Sequence, residues 1–194
     1  RNLRVNLYSK LSARAANNNP LRVAIIGAGK FASMYLAQVH KTPGVHVAAI
    51  ADLNPENVFS NLNRVGWSRA QYEAASVDDA IRTGGTWVTE DWGKVIADPR
   101  VDIVIEATGN PPAAVEHILR SFEQGKHVVN VTVEADALCG PYLARYAREN
   151  NVIYSLAYGD QPALICDLVD WARASGFRVV SAGRGHKWLP HFAQ

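Results

Sequence analysis

Residues 22–32 read Arg-Val-Ala-Ile-Ile-Gly-Ala-Gly-Lys-Phe-Ala, and this stretch decides the fold. Val23 to Ile26 form an apolar run that predicts a buried parallel strand. The run stops at Gly27-Ala28-Gly29, and a helical pattern begins at once. The order is strand, tight turn, helix N-terminus. Gly27 permits a turn that a Cβ would obstruct, Gly29 lets a pyrophosphate approach the backbone, and Ala32 lets the helix lie close to the strand. Lys30 and Phe31 open that helix, whose exposed N–H groups and positive dipole end suit phosphate.

A second apolar strand, Val45 to Ala51, ends at Asp52. That is about twenty residues past the fingerprint, where an acidic side chain meets the adenosine ribose hydroxyls. The competing reading is a glycine turn and a helix-capping Asp that bind nothing. Leu53-Asn54-Pro55 follow Asp52, so no cation stands ready for a 2′-phosphate and the local chemistry predicts NAD.

The 194 residues are 48% hydrophobic and 20% charged, an ordinary globular composition. A net charge of +2 gives no nucleic-acid footprint and no membrane-surface patch. No apolar run approaches the roughly 18–20 residues of a membrane span. Residues 1–19 lack the apolar segment of a secretory signal. Cys139 and Cys166 do not form a metal-type pair, which fits a reducing, cytoplasmic setting.

Strands alternate with helices along the chain. Residues 3–16 predict an amphipathic helix carrying Leu3, Leu7 and Leu11. Further strands are predicted at 86–89, 101–107, 128–131 and 152–157. Helices are predicted over 31–40, from Asn54, and over 68–81, 91–97, 112–124 and 135–149. Val115, Ile118, Leu119 and Phe122 mark the inner face of the helix 112–124. This alternation indicates an α/β, Rossmann-type doubly wound parallel sheet. Past Tyr158, a helix from Asp160 to about Ala174 and a strand Arg178–Ala182 look like the first elements of a second, catalytic domain. We therefore divide the chain into a helical extension (1–20), a dinucleotide-binding domain (21–158) and the start of a catalytic domain (159–194). The remaining residues are too few for that second domain, so the chain reads as part of a longer protein.

Ligands of open α/β sheets sit beyond the carboxyl ends of the strands. Thr108 and Gly109 end the fourth strand, where a nicotinamide half would lie, or else form a plain strand-to-helix turn. Glu134, with Asp136, is either a charge pair favoured by a helix N-terminus or a contact to nicotinamide or substrate. Asp160 stands at the end of the sixth strand. His186, Lys187 and His191 cluster past the last strand. The histidines are a metal pair or solvated loop residues, and Lys187 is a loop lysine or a ligand for a substrate anion or carbonyl. Neither cysteine has an adjacent base in sequence, and we propose no thiol nucleophile.

Val23–Ala32, Glu106-Ala107-Thr108-Gly109 and the stretch Gly125–Asp136 resemble the N-terminal domains of homoserine dehydrogenases. Tyr154–Pro162 and Gly183–Pro190 are similar to the homoserine dehydrogenase-like oxidoreductases that carry a C-terminal SAF domain. That group includes the deoxyxylulose-phosphate reductoisomerase-like enzymes of isoprenoid synthesis. The resemblance covers nearly everything from Leu21 onward. Homoserine dehydrogenases place an Asn-Lys pair after the fifth strand, and here Val133-Glu134-Ala135 stand instead, which favours the reductoisomerase-like branch. The resemblance implies hydride transfer to or from a small carbonyl or hydroxy compound, NADP rather than NAD, a divalent metal with unassigned ligands, and a homo-oligomer formed through a further domain. A different dehydrogenase of the same group, or a module that senses NAD(P) without turnover, remains the alternative.

Overall fold

A computed structural model describes residues 6–158 and 161–183. The chain divides into two compact units, residues 1–155 and 156–194. The first contains β1 (Leu21–Ile26), β2 (Val45–Ala51), β3 (Trp87–Thr89), β4 (Ile103–Glu106) and β5 (His127–Asn130), and β6 (Tyr154–Leu156) crosses the boundary. The strand order is β3-β2-β1-β4-β5-β6, and β1 pairs in parallel with both β2 and β4. The chain therefore winds outward from β1 in one direction, returns to β4, and winds outward in the other. A crevice opens at that reversal, between β1 and β4.

Helices cover both faces, which is why the strands read as unbroken apolar runs. Val23 and Ile25 point to one face, where Leu36 of α2 (Lys30–Val39) and Val58 and Leu62 of α3 (Pro55–Arg64) pack. Ala24 and Ile26 point to the other, against Ile118 and Phe122 of α6 (Pro111–Glu123) and Leu143 of α7 (Val133–Glu149). Each of the larger buried side chains contributes about 1.5–3 kcal/mol, and the Ala24 methyl about 0.8 kcal/mol. A bulge at Ala48 breaks the β1–β2 register between Val23 and Ala24, so Ala48 and Ala49 both face the second layer.

Several expectations are corrected. Residues 68–81 are not one helix. A single 3-10 turn, Arg69–Gln71, is followed by Ala74 bridging to Trp87, and α4 (Val77–Thr83) starts afresh at the Ser76 cap. The cap hydroxyl satisfies the Asp79 amide, and the extended Ser76 backbone interrupts the helical pattern. The inner face of α6 is Ala114, His117, Ile118, Ser121 and Phe122, with Val115 and Leu119 only half-buried. The N-terminal helix α1 (Leu7–Ala16) buries no residue, and Leu7 and Tyr8 stay exposed. In the second unit, α8 (Gln161–Ala174) forms, but Arg178–Ala182 makes no strand. A strand needs a ladder partner, and among the described residues that segment has none. No helix among the described residues is long and apolar enough to cross a membrane.

At the amino end of the sheet, the buried Lys126 donates from Nζ to the Asp98 and Val101 carbonyls, at 2.6 and 2.9 Å. Burial lowers its pKa. Arg100 grips the Asp98 carboxylate from Nε and NH2, at 3.0 and 2.8 Å, and holds its pKa below the ordinary 3.8. A carboxylate with a depressed folded pKa stabilises above its unfolded value and loses that contribution on acidification. Asp98→Asn is therefore expected to lower the unfolding free energy at pH 7 by about 1 kcal/mol. Urea midpoints of mutant and wild type should converge as pH falls below 3.8. A gap that is unchanged at low pH would contradict this account.

Candidate functional site

The glycine turn lies in the crevice between β1 and β4. Gly27 donates its N–H to the Ala51 carbonyl at 2.8 Å and has a φ of +93°. A Cβ built there would stand 2.7 Å from the Ala107 carbonyl carbon and from Thr108 Cα. Gly27 thus satisfies a left-handed backbone and a close approach to the end of β4 at once. Gly29 differs. Its φ is −72°, and a Cβ there would meet nothing within 4 Å. It caps α2 with no side-chain hydrogen bond, and α2 has no acidic residue in its first turn. The N–H groups that open the helix have no intrahelical acceptor, and open space faces them. Ala32 is buried against β1, as the third small position requires.

Asp52 is locked beside this turn. Its Oδ2 accepts from the Ala28 N–H at 2.6 Å, and its Oδ1 from the Asn54 N–H at 2.9 Å. Its own N–H donates to the Thr89 carbonyl at 3.0 Å. These bonds fix the carboxylate against the glycine turn.

A cleft of about 470 Å³ runs over the strand ends, lined by Gly27, Gly29, Asp52, Trp92, Thr108 and His117 among others. A more voluminous groove, about 980 Å³, lies over Phe59, Arg69 and Tyr72. We place the site in the smaller cleft because it alone contains the glycine turn and the ends of β1, β2 and β4.

The end of β4 carries a buried network. Glu106 is fully buried and accepts at Oε1 from the Thr108 hydroxyl at 2.6 Å. The Thr132 hydroxyl donates to its Oε2, and His117 Nδ1 stands 3.4 Å from Oε1. The His117 ring meets Trp92 edge-on, with centroids 4.6 Å apart. Gly109 has a φ of +69° and open space where a Cβ would stand.

The structure thus brings Gly27, Gly29, Asp52 and Thr108 into one cleft, with Gly109 beside Thr108. Lys30 and Phe31 are exposed in the first turn of α2 and do not line the cleft. Glu134 is exposed at the second position of α7 and does not line it either. Its neighbour Asp136 instead accepts from the Tyr154 hydroxyl at 2.9 Å. Burial first, then the Asp136 charge, holds the Tyr154 phenol well above its ordinary range, although Asn130 donates to it. Burial and Asp136 likewise push the Cys139 thiol up. Asp160, His186, Lys187 and His191 lie outside the described residues. Among those described, no three His, Cys, Asp or Glu side chains group to hold a metal ion.

Sequence reasoning missed Trp92 and His117 and gave Glu106 no role. One signal was available. Glu106 is an acid that closes an apolar strand covered on both faces, and a buried charge there needs partners.

Comparison with known proteins agrees with this geometry. A homoserine dehydrogenase from Pseudomonas aeruginosa is 31% identical over 134 residues, which are 69% of this chain and 28% of that protein. A homoserine dehydrogenase from Methylobacillus glycogenes is 27% identical over 111 residues, 57% of this chain and 24% of that protein. The crystal structure of a homoserine dehydrogenase from Thiobacillus denitrificans shares the fold, with a TM-score of 0.61 at 20% identity, over 80% of this chain and 34% of that one. The chain therefore spans about a third or less of these relatives' length. Residues 159–194 match a family described as oxidoreductase DRL, catalytic domain. Residues 21–130, more than half of the chain, match the GFO/IDH/MocA oxidoreductase family with its NAD-binding Rossmann fold, and the chain belongs to that family.

Proposed function

We propose that this chain is the nicotinamide-dinucleotide-binding part of an oxidoreductase acting on a small carbonyl or hydroxy compound. The observation that carries the proposal is the open Gly29 face, with the locked Asp52 carboxylate beside it. In this reading the backbone from Gly27 through Lys30, Phe31 and Ala32 holds the pyrophosphate. Asp52 accepts from the adenosine ribose, and Thr108 and Gly109 border the nicotinamide half. When bound, the cofactor supplies or accepts the hydride, and the chain's work is to position it.

We place the dinucleotide domain at 21–158, after a helical extension (1–20), and the start of the catalytic part at 159–194. There Asp160 and Lys187, together with Glu134, handle the substrate. Assembly of copies through the catalytic part, in a reducing cytoplasm that keeps Cys139 and Cys166 free, completes the proposal.

Two substrate readings follow. The matches to homoserine dehydrogenases support a homoserine-type dehydrogenase acting on a small unphosphorylated compound. The missing lysine after the fifth strand supports the reductoisomerase-like alternative, a phosphorylated ketose. Nicotinamide absorbance, followed in the full-length protein with each substrate, separates them. Cofactor binding without turnover of either would favour a sensing module.

The structure also bears on cofactor choice. Asp52 is held by two backbone amides and meets no neighbouring cation in Leu53-Asn54-Pro55. We expect NADH to bind about tenfold or more tightly than NADPH, because a fixed carboxylate repels a 2′-phosphate. Asp52→Ala should narrow the gap. Calorimetry that finds NADPH the tighter ligand would overturn the preference and favour the NADP expected from the resemblance.

A further inference from the structure

We propose that Glu106 is a positioning residue for the nicotinamide half of the cofactor, an inference that rests on the dinucleotide-binding reading above. Glu106 is fully buried and does not line the cleft, so it touches no ligand. It acts through two loops. Its Oε1 takes the Thr108 hydroxyl at 2.6 Å, and that hydroxyl in turn accepts the Asn110 N–H at 3.2 Å. Its Oε2 takes the Thr132 hydroxyl, which in turn accepts the Gly109 N–H at 3.0 Å. One carboxylate therefore ties the β4–α6 loop, which borders the cleft, to the β5–α7 loop behind it.

The chemistry of the pair requires a carboxylate. A threonine hydroxyl has one hydrogen to donate. At Thr108 and at Thr132 the oxygen accepts a backbone N–H while its own hydrogen is donated to Glu106. Both faces of the Glu106 head group must therefore be acceptors. Glutamine has the same shape but presents an NH₂ to one of the two hydroxyls. That hydroxyl then loses its acceptor in a buried site, and the loop it holds must move. The ADP-ribose half depends instead on Gly29 and Asp52, which make none of these bonds.

The test is calorimetry on the 194-residue chain with two ligands, NADH and ADP-ribose. Glu106→Gln is expected to weaken NADH by about 10- to 100-fold. ADP-ribose affinity should stay within about threefold, a change too small to count as a lost bond. Thr132→Val should repeat this selective loss with the Glu106 side chain in place. Thr132→Ser, which keeps the hydroxyl, should restore NADH affinity. A merely structural role would weaken both ligands together, and that outcome, or unchanged NADH affinity in Glu106→Gln, overturns the inference. If the wild-type chain binds neither ligand, the dinucleotide-binding reading itself fails and takes the inference with it.

Discussion

Valine at position 29 is expected to abolish cofactor binding while the protein stays folded. The backbone there is extended, at φ −72° and ψ −160°, and needs no positive φ. A Cβ meets no atom within 4 Å, so the folded chain has room for the side chain. In the proposed dinucleotide-binding reading, that room is where the pyrophosphate sits. The isopropyl group would separate the phosphates from the opening N–H groups of α2, which offer charge-assisted hydrogen bonds. We expect NADH affinity to fall at least about 100-fold, the loss of one or two such bonds. The unfolding free energy should change by about 1 kcal/mol or less, the usual span for a cap substitution that removes no side-chain bond. Calorimetry and urea unfolding on the same samples decide the matter. Wild-type affinity in Gly29→Val would remove the pyrophosphate from this turn.

Alanine at position 27 should do the opposite. One methyl group there meets the Ala107 carbonyl and Thr108 Cα at 2.7 Å, and both are backbone, which cannot rotate away. The residue also holds a φ of +93°, where an L side chain is strained. Left-handed strain of about 1–3 kcal/mol and overpacking of about 1–3 kcal/mol together predict a loss of roughly 2–6 kcal/mol. That is a large share of the about 5–15 kcal/mol typical of a domain. Urea unfolding should show a lower midpoint for Gly27→Ala and near wild-type behaviour for Gly29→Ala. Equal stability of the two variants would mean that β1 and β4 do not meet as closely as described.

The two glycines mark where sequence reading succeeds and where it stops. By itself the sequence determined the doubly wound sheet, because strands covered on both faces are apolar through their buried stretches, and Val23–Ile26 and Val47–Ala51 say so without their neighbours. It also determined the position of the turn and of Asp52, because both are local offsets from a strand end. The motif assigned Gly27 to a tight turn and Gly29 to a close approach, but it could not show what stands beside each. One is set by β4, about eighty residues away in the chain, and the other by empty space. Nor could it show that α6 turns Ala114, His117 and Ser121 inward, because packing against the sheet and α7, rather than hydropathy, chooses that face. The strand expected at Arg178–Ala182 is absent for a related reason: its residues favour extension, but a strand exists only with a partner, and among the described residues that segment has none. The lock on Asp52 and the Glu106 network are likewise tertiary. Asp52 meets Ala28 across 24 positions, and Glu106 meets Thr132 across 26. Hydrogen bonds of that separation leave no period in the sequence, and only the fold brings their ends together.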